Sequence, residues 1–400
     1  MNSVIKVIVV GHSYLAEENR KNLEYIAKLG ADIKVLSPSN FKGMIFDYDM
    51  KSQVIKGDGF EIRSMKTFVP FLAPQAAYIF RSFGLGLREF KPDVVHIECD
   101  PFSPVFVQTY FAAKIYAPQA KIVCTVKQNT YTSKGRIYDG LKNMVARVFV
   151  PRVSRFITVN QGVEDIYHTY FGASKEQMTR CTQLGVDTDT FGPVEPTEKK
   201  ELLTSLKLER GDSLIGYVGR LVEYKGVFEL VEAVRRLREH SGKNYQLALL
   251  GDGPDRARLE EMSSQDDWLQ LAGVLPHERV AEFLKCLDAF VMPSRILKDH
   301  VEHDGHALLE AMAVGLPCIG TKCGAIEELL PGAGLLIAPE EIDVLYESLE
   351  SLFANGNASL KMGAAARKRV QEIYSLEAVA KRYHEVYQRV LNSHVITYRR

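Results

Sequence analysis

Short apolar runs that end in glycine or turn residues, each leading into a helical pattern, recur along this chain, break once, and start again. That alternation constrains the fold more than any other feature. VIKVIVVG (Val4–Gly11) is followed by AEENRKNLEYIAKLG, a helical pattern closed by Gly30, and then by the strand pattern IKVLSPS. DVVHIE (Asp93–Glu98), KIVCTV (Lys121–Val126) and RFITVN (Arg155–Asn160) repeat the strand pattern. Continuous apolar runs of this length, with helices between them, mark strands buried on both faces of a parallel sheet. LGVDTDTFGPVEPTEKK (Leu184–Lys200) interrupts the rhythm with two prolines and a charged run, as a linker does. SLIGYVGR, YQLALLGDG, LQLAGVL, DAFVMPS and PCIGTK then resume it, with VFELVEAVRRLREH, DRARLEEM and ALLEAMAVG as helices. The tail, YSLEAVAKRYHEVYQRVL, is a helix with Ser375 as its N-cap. The expected architecture is α/β, two tandem doubly wound Rossmann-like domains facing a central cleft. The domains are expected at residues 1–190, joined by the final helix at 375–400, and at residues 191–374.

Composition excludes several functions. Lys+Arg and Asp+Glu both number 50, so no overall basic field draws the chain to nucleic acid. The six cysteines contain no C-x-x-C pair, which argues against a zinc site or a disulfide framework and fits a reducing cytoplasm. No apolar h-region opens the chain and no run approaches the roughly 20 apolar residues of a membrane span. The expectation is a cytoplasmic protein, with any membrane association peripheral.

In doubly wound domains, ligands meet the loops at the carboxyl ends of the strands, so the chemistry is sought there. In GYVGRLVEYKG (Gly216–Gly226), Arg220 follows a strand directly and Lys225 precedes a helix. A planar fork of donors and a mobile ammonium suit a diphosphate; either cation alone is more simply a solvated surface charge. In LALLGDGP, Gly251 and Gly253 bracket Asp252 after a strand. This fits a nucleotide loop, or a turn that merely needs tight backbone geometry, since the third glycine of the dinucleotide fingerprint is missing. SRILKDHVEHDGHALLEAMAVGLPCIG (Ser294–Gly320) places Glu302 in a loop and Glu310 within a helix starting near His306. Amides at that helix N-terminus suit an anion. Glu310 is able to accept a vicinal diol, or is simply a helix-surface carboxylate. His300, His303 and His306 recur every three residues with Glu302 and Asp304 between them. That spacing permits metal ligation, but a loop entering a helix is the preferred reading, and no metal is expected.

Taken together, VGRLVEYKG, LLGDGP, LAGVLP and the E-x7-E pattern running into LLEAMAVGLPCIG resemble the retaining glycosyltransferases of family 4, which have a GT-B fold. The match runs from Gly216 to Glu328, with weaker echoes in VHIE, LGVDTDTF and the tail. The resemblance implies that Arg220 and Lys225 bind the donor diphosphate. It gives Glu302 contact with the donor sugar and Glu310 the ribose. Backbone amides at Asp304, Gly305, His306 and Ala307 would meet sugar and phosphate, and Val274 and Leu275 the base. Gly251 joins the donor loops, Gly11 matches the first N-terminal glycine loop, and the last helix returns to the first domain. Glu302, Arg220 and Lys225 are the expected catalytic residues. Gly11-His12-Ser13 departs from the family's paired glycines, Lys127-Gln128 stand where a histidine is common, and Asp304 replaces an aromatic.

The implied reaction moves a hexose or N-acetylhexosamine from a nucleotide-diphosphate sugar to a glycan or lipid-linked acceptor, in cell-surface polysaccharide or glycolipid synthesis. No cofactor is expected, because the nucleotide sugar is a substrate. An NDP-sugar epimerase or hydrolase on the same fold, and a non-catalytic sugar-binding protein, are the alternatives. A dinucleotide oxidoreductase would want G-x-G-x-x-G after the first strand, which Gly11–Ala16 does not supply. Lys134, Arg136, Lys142, Arg147, Arg152 and Arg155 interleave with Ile137, Tyr138, Leu141, Met144, Val145 and Val148. The Lys134–Arg155 stretch either rests on an anionic membrane or packs its apolar side inward beneath an ordinary solvated face.

Overall fold

A computed structural model of the chain describes residues 4–42, 47–49, 53–68, 78–131, 133, 135–298 and 300–393. It divides into two compact units: Met1–Gly185 with Leu376–Arg400, and Val186–Ser375. The division falls at Gly185/Val186, ahead of the expected break after residue 190. The charged run that seemed part of a linker lies in a helix, Pro196–Leu206. Pro196 opens it at the first helical position, where a missing N–H costs nothing.

The first unit's main sheet is built from β1 (Ile5–Val10), β2 (Ala31–Pro38), β3 (Val54–Gly57), β4 (Phe60–Met65), β5 (Val94–Ile97), β6 (Lys121–Val126), β7 (Arg155–Thr158) and β8 (Met178–Arg180). Its order is β8-β7-β6-β5-β1-β2-β4-β3. All neighbours are parallel except the β3–β4 hairpin at the edge. Val7 pairs with Ile33 on one side and Val94 on the other, and all three are buried. The chain leaves β1 toward β2 on one side and later returns to β5 on the other. The topological switch point of the unit is therefore the gap between β1 and β5.

The terminal helix, Leu376–Asn392, belongs to this unit. It buries Leu376, Val379, Ala380, Tyr383, Val386, Tyr387 and Val390, a stripe at helical period. From Val379 to Val390 the stripe packs in one cluster with Val7, Leu23, Ile26 and Ile33. Val379, Val386 and Val390 alone each contribute roughly 1.5–3 kcal/mol of burial, so the helix is anchored along its length. His96 of β5 sits beneath it: Nδ1 lies 3.0 Å from the Tyr387 hydroxyl and Nε2 2.7 Å from Thr125 Oγ1. Burial lowers the His96 pKa to about 3, so the ring is neutral in the folded protein.

The second unit has β9 (Ser213–Val218), β10 (Tyr245–Leu250), β11 (Leu269–Gly273), β12 (Ala289–Met292), β13 (Cys318–Thr321) and β14 (Leu335–Ile337). They form one parallel sheet in the order β11-β10-β9-β12-β13-β14. Counted within the unit this is 3-2-1-4-5-6, the dinucleotide-fold order, with its switch point between β9 and β12. Every residue of β10, β12 and β13 is buried, as a sheet covered on both faces requires.

Candidate active site

The loops leaving β9 and β12 carry most of the residues singled out in the second unit. β9 ends at Val218, and Gly219 turns the chain into Arg220. The neighbouring loop after β10 comes so close that a Cβ on Gly251 would overlap the carbonyl oxygen of Gly219. Gly251 also has a φ of 146°, outside the range ordinary side chains adopt. Its N–H donates to Gly273 O at 2.7 Å, knitting the ends of β10 and β11 together. Close backbone approach therefore accounts for this glycine. Val274, just beyond, is 65% exposed, and Leu275 packs partly against the core.

Lys225 closes a 3-10 turn, Glu223–Lys225, ahead of the helix Val227–Ser241. Gly226 between them has φ 73°, and a side chain there would run into Pro293 O. The turn is held from the β12 loop. Arg295 N–H donates to Tyr224 O at 2.8 Å, and its guanidinium pairs with Glu223 at 3.1 Å and with the buried Glu229. So fixed, Lys225 Nζ reaches Glu302 Oε2 at 2.6 Å, and Ser294 Oγ donates to the same oxygen at 3.0 Å. The Lys225 and Glu302 side chains are only 17% and 13% exposed. Such a pair gains more from its Coulomb attraction than a surface pair does, and loses more when one partner is removed. Arg220 differs: among the described residues, nothing forms an ion pair or hydrogen bond with its guanidinium, while its carbonyl accepts from Tyr217 Oη at 3.0 Å.

Gly305 follows Asp304 and caps the helix His306–Val314 in the left-handed conformation, φ 58°. It offers no capping side chain, so the first-turn amides are not claimed by one. Every residue from Leu308 to Val314 is buried. Glu310 is therefore not a surface carboxylate: its side chain is 5% exposed. A charge this deep needs partners. Oε1 lies 2.7 Å from His277 Nε2 and 3.5 Å from His306 Nε2.

The three-residue histidine repeat does not converge on one point in the way its spacing permits. His300 packs its ring on Tyr224 at 4.6 Å and on His303 at 5.7 Å, whereas His306 turns to Glu310. Among the described residues, the potential metal ligands that gather are His277, His306 and Glu310. The sequence reading missed His277. It starts a different helix, His277–Cys286, and no local spacing relates it to Glu310.

Gly11 lies in the first unit, at the switch point between β1 and β5. A Cβ there would collide with Oε2 of Glu98, the residue just after β5. Tyr14 Oη donates to Glu98 Oε1 at 3.0 Å. Burial raises the Glu98 pKa, against the opposing pull of Gln183, Tyr14 and Lys127. Lys127 in turn helps burial lower His12 to about 4.

In the same unit the helix Arg136–Phe149 buries Ala146 and Phe149. Ile137 is 90% exposed, and Tyr138, Leu141, Met144 and Val148 are exposed too. That apolar stripe is thus open while Val145 packs against the core, so the reading in which the whole apolar side packs inward does not hold. Not all the basic residues line this helix face. Lys142 lies over the rings of Phe102, Tyr131 and Phe171, Arg155 is half-buried in β7, and Lys134 lies outside the described residues. Among the described residues, no helix is long and apolar enough to cross a membrane.

Comparison with known proteins places these two units. The family model for glycosyl transferases group 1 matches residues 198–369, and that for glycosyltransferase family 4 matches residues 22–190. A putative glycosyltransferase, EpsF of Bacillus subtilis, is 30% identical over 277 residues, covering 65% of this chain and 68% of that protein. Alpha-maltose-1-phosphate synthase of Mycolicibacterium smegmatis is 29% identical over 268 residues, 62% of this chain and 67% of its own length. Among solved structures, a glycosyltransferase of Rickettsia africae superposes with a TM-score of 0.73 at 16% identity, covering 98% of this chain and 100% of that one. HepE of Anabaena, solved in complex with UDP, gives 0.70 at 15% identity, covering 96% and 100%. The two-unit α/β architecture is of the GT-B type, and the chain belongs to the group 1, or family 4, glycosyltransferases.

Proposed function

We propose that this glycosyltransferase takes a hexose or N-acetylhexosamine from a nucleoside-diphosphate sugar, with retention of configuration. The acceptor is a glycan or a lipid-linked sugar of cell-surface polysaccharide or glycolipid synthesis. The observation that carries this reading is the meeting of the Lys225 turn and the Glu302 loop near the second unit's switch point. Glu310 lies on the helix that follows that loop. Arg220 and Lys225 neutralise the diphosphate as the glycosidic bond breaks, and the first-turn amides at His306 and Ala307 add to them. Glu302, now held by Lys225, accepts donor-sugar hydroxyls when the ammonium turns to phosphate. Glu310 accepts the ribose diol, with Val274 and Leu275 giving backbone to the base. Asp304, Gly305 and Gly251 complete the donor loops, and Gly11 belongs to the acceptor unit. No general base is needed if the departing phosphate oxygen takes the acceptor's proton on the same face. Neither a metal nor a cofactor takes part, so activity should survive EDTA.

UDP complexes of HepE, and names such as a GDP-mannose-dependent mannosyltransferase of Corynebacterium glutamicum, support a nucleotide-sugar donor. The decisive assay supplies UDP-, GDP- and ADP-sugars labelled in the sugar, with a panel of glycan and lipid-linked acceptors. Transfer of label to an acceptor is expected. Label that is only released as free sugar, or only converted to another nucleotide sugar, would replace the proposal with a hydrolase or an epimerase.

The exposed stripe Ile137, Leu141, Met144 and Val148, beside Arg136 and Arg147, further supports docking of the first unit on an anionic membrane. The protein would then work at the cytoplasmic face. Flotation with anionic vesicles but not with neutral ones is the expected result, and no flotation with either removes this part of the proposal.

A further inference from the structure

A metal-ligand triad stands where the ribose is expected. Three atoms, His277 Nε2, His306 Nε2 and Glu310 Oε1, lie within 4.8 Å of one another. Both imidazole nitrogens approach the same carboxylate oxygen, at 2.7 and 3.5 Å. Four-coordinate zinc, with bonds of about 2.0–2.2 Å, spaces its ligands roughly 3.3 Å apart. Small side-chain rotations from the present positions reach that spacing.

The scaffold suits such a site. His306 and Glu310 lie one turn apart on a helix whose Leu308–Val314 segment is wholly buried. His277 is the first residue of a second helix, with its ring 5.5 Å from that of Phe191. Ligands on packed helices are held more closely than ligands on loops. The Glu310 side chain is 5% exposed, whereas each imidazole is 34% exposed, which leaves an approach for an ion and a position for water. Two imidazoles and one carboxylate favour zinc and its late first-row neighbours over magnesium or calcium, which prefer oxygen.

We propose that His277, His306 and Glu310 bind a late first-row divalent cation, Zn2+ foremost, and that the bound ion competes with the donor nucleotide. The ion is an inhibitor, distinct from the metal-free transfer proposed above. The competition, though not the metal binding itself, rests on reading Glu310 as the ribose partner.

The test titrates the intact chain with ZnCl2 and with MgCl2 by calorimetry, and with CoCl2 by visible absorption. One equivalent of Zn2+ and a cobalt d–d band are expected, with no Mg2+ binding. His306→Ala and His277→Ala should each weaken Zn2+ at least tenfold, while His300→Ala and His303→Ala leave it unchanged. Absence of stoichiometric Zn2+ binding, or loss through His300 or His303 rather than His306, overturns the site. A second arm titrates UDP, GDP and ADP with and without saturating Zn2+. A tenfold or greater weakening of the nucleotide that binds supports competition. Equal nucleotide affinity in both conditions refutes it and counts against Glu310 as the ribose partner, while the metal site stands. Failure of every nucleotide to bind without Zn2+ refutes the donor reading and, with it, the competition.

Discussion

Removing the Lys225 ammonium should damage stability and turnover by different amounts, and a double substitution should separate the two. Lys225→Met leaves Glu302, 13% exposed, with the Ser294 hydroxyl but without its cation. Breaking one side of a fully buried pair costs about 3–5 kcal/mol, and an exposed pair loses about 1 kcal/mol or less. The intermediate burial here places the loss at about 1–3 kcal/mol. For a unit of this size, that lowers Tm by roughly 2–12 °C. Glu302→Gln strands the ammonium and should cost a similar amount. The double variant strands neither charge, so it should be more stable than the sum of the single losses by about 1–2 kcal/mol. Turnover behaves otherwise. Lys225 stabilises charge only as the bond to diphosphate breaks, so its loss should lower kcat roughly 10²–10³-fold. The double variant should not recover that loss. Thermal melts and initial rates on the four proteins complete the cycle. If Lys225→Met turns over at near the normal rate, or if the double variant regains activity along with stability, Lys225 is a structural cation and the leaving-group argument fails.

His96 makes the first unit sensitive to acid. Its folded pKa of about 3 lies below the unfolded value of 6.5, so the unfolded chain takes up the proton first as pH falls. The stabilisation is complete above pH 6.5 and is lost progressively down toward pH 3. At pH 4.5 the loss is about 2–3 kcal/mol. Urea titrations across that window should show His96→Gln with a shallower pH slope, and an unchanged slope would refute the assignment. Gly251→Ala should lower stability by about 1–3 kcal/mol and weaken nucleotide binding at least tenfold, because its Cβ would overlap Gly219 O and push Arg220's loop away; calorimetry and melts check both. Ile137→Ser with Leu141→Ser should leave Tm unchanged, since both residues are exposed, but abolish vesicle flotation.

Much of this was legible because each sheet announces itself locally. Runs such as VIKVIVV and YQLALL are apolar but for one residue each, Lys6 and Gln246, without the strict alternation of a half-exposed strand, and burial on both faces explains that. Glu310's depth is not read from the sequence, which leaves its carboxylate open as a helix-surface charge, although ALLEAMAV has no other polar residue and so gives the helix little to turn toward water. The partners were not legible. Lys225 and Glu302 meet through two loops of one sheet, and His277 and Glu310 through two helices, at separations no local spacing encodes. The β3–β4 hairpin turns at Asp58-Gly59, a strong turn signal, but its β3 residues are mostly exposed and lack the apolar run that marks the central strands β1, β5 and β6. For the Arg136–Phe149 helix, the periodicity was plain and its orientation was not. Which stripe faces in is decided by Ala146 and Phe149, which pack against a neighbour that sequence spacing does not reveal.

The account stands on a nucleoside diphosphate being held through Arg220 and Lys225. Isothermal titration of the intact chain with UDP, GDP and ADP, repeated on Arg220→Ala, measures that grip without reference to acceptor or product. One of the three nucleotides should bind with a single site, and Arg220→Ala should weaken it at least tenfold with its melting temperature unchanged. Heat from none of them, or the same affinity in wild type and Arg220→Ala, would contradict it.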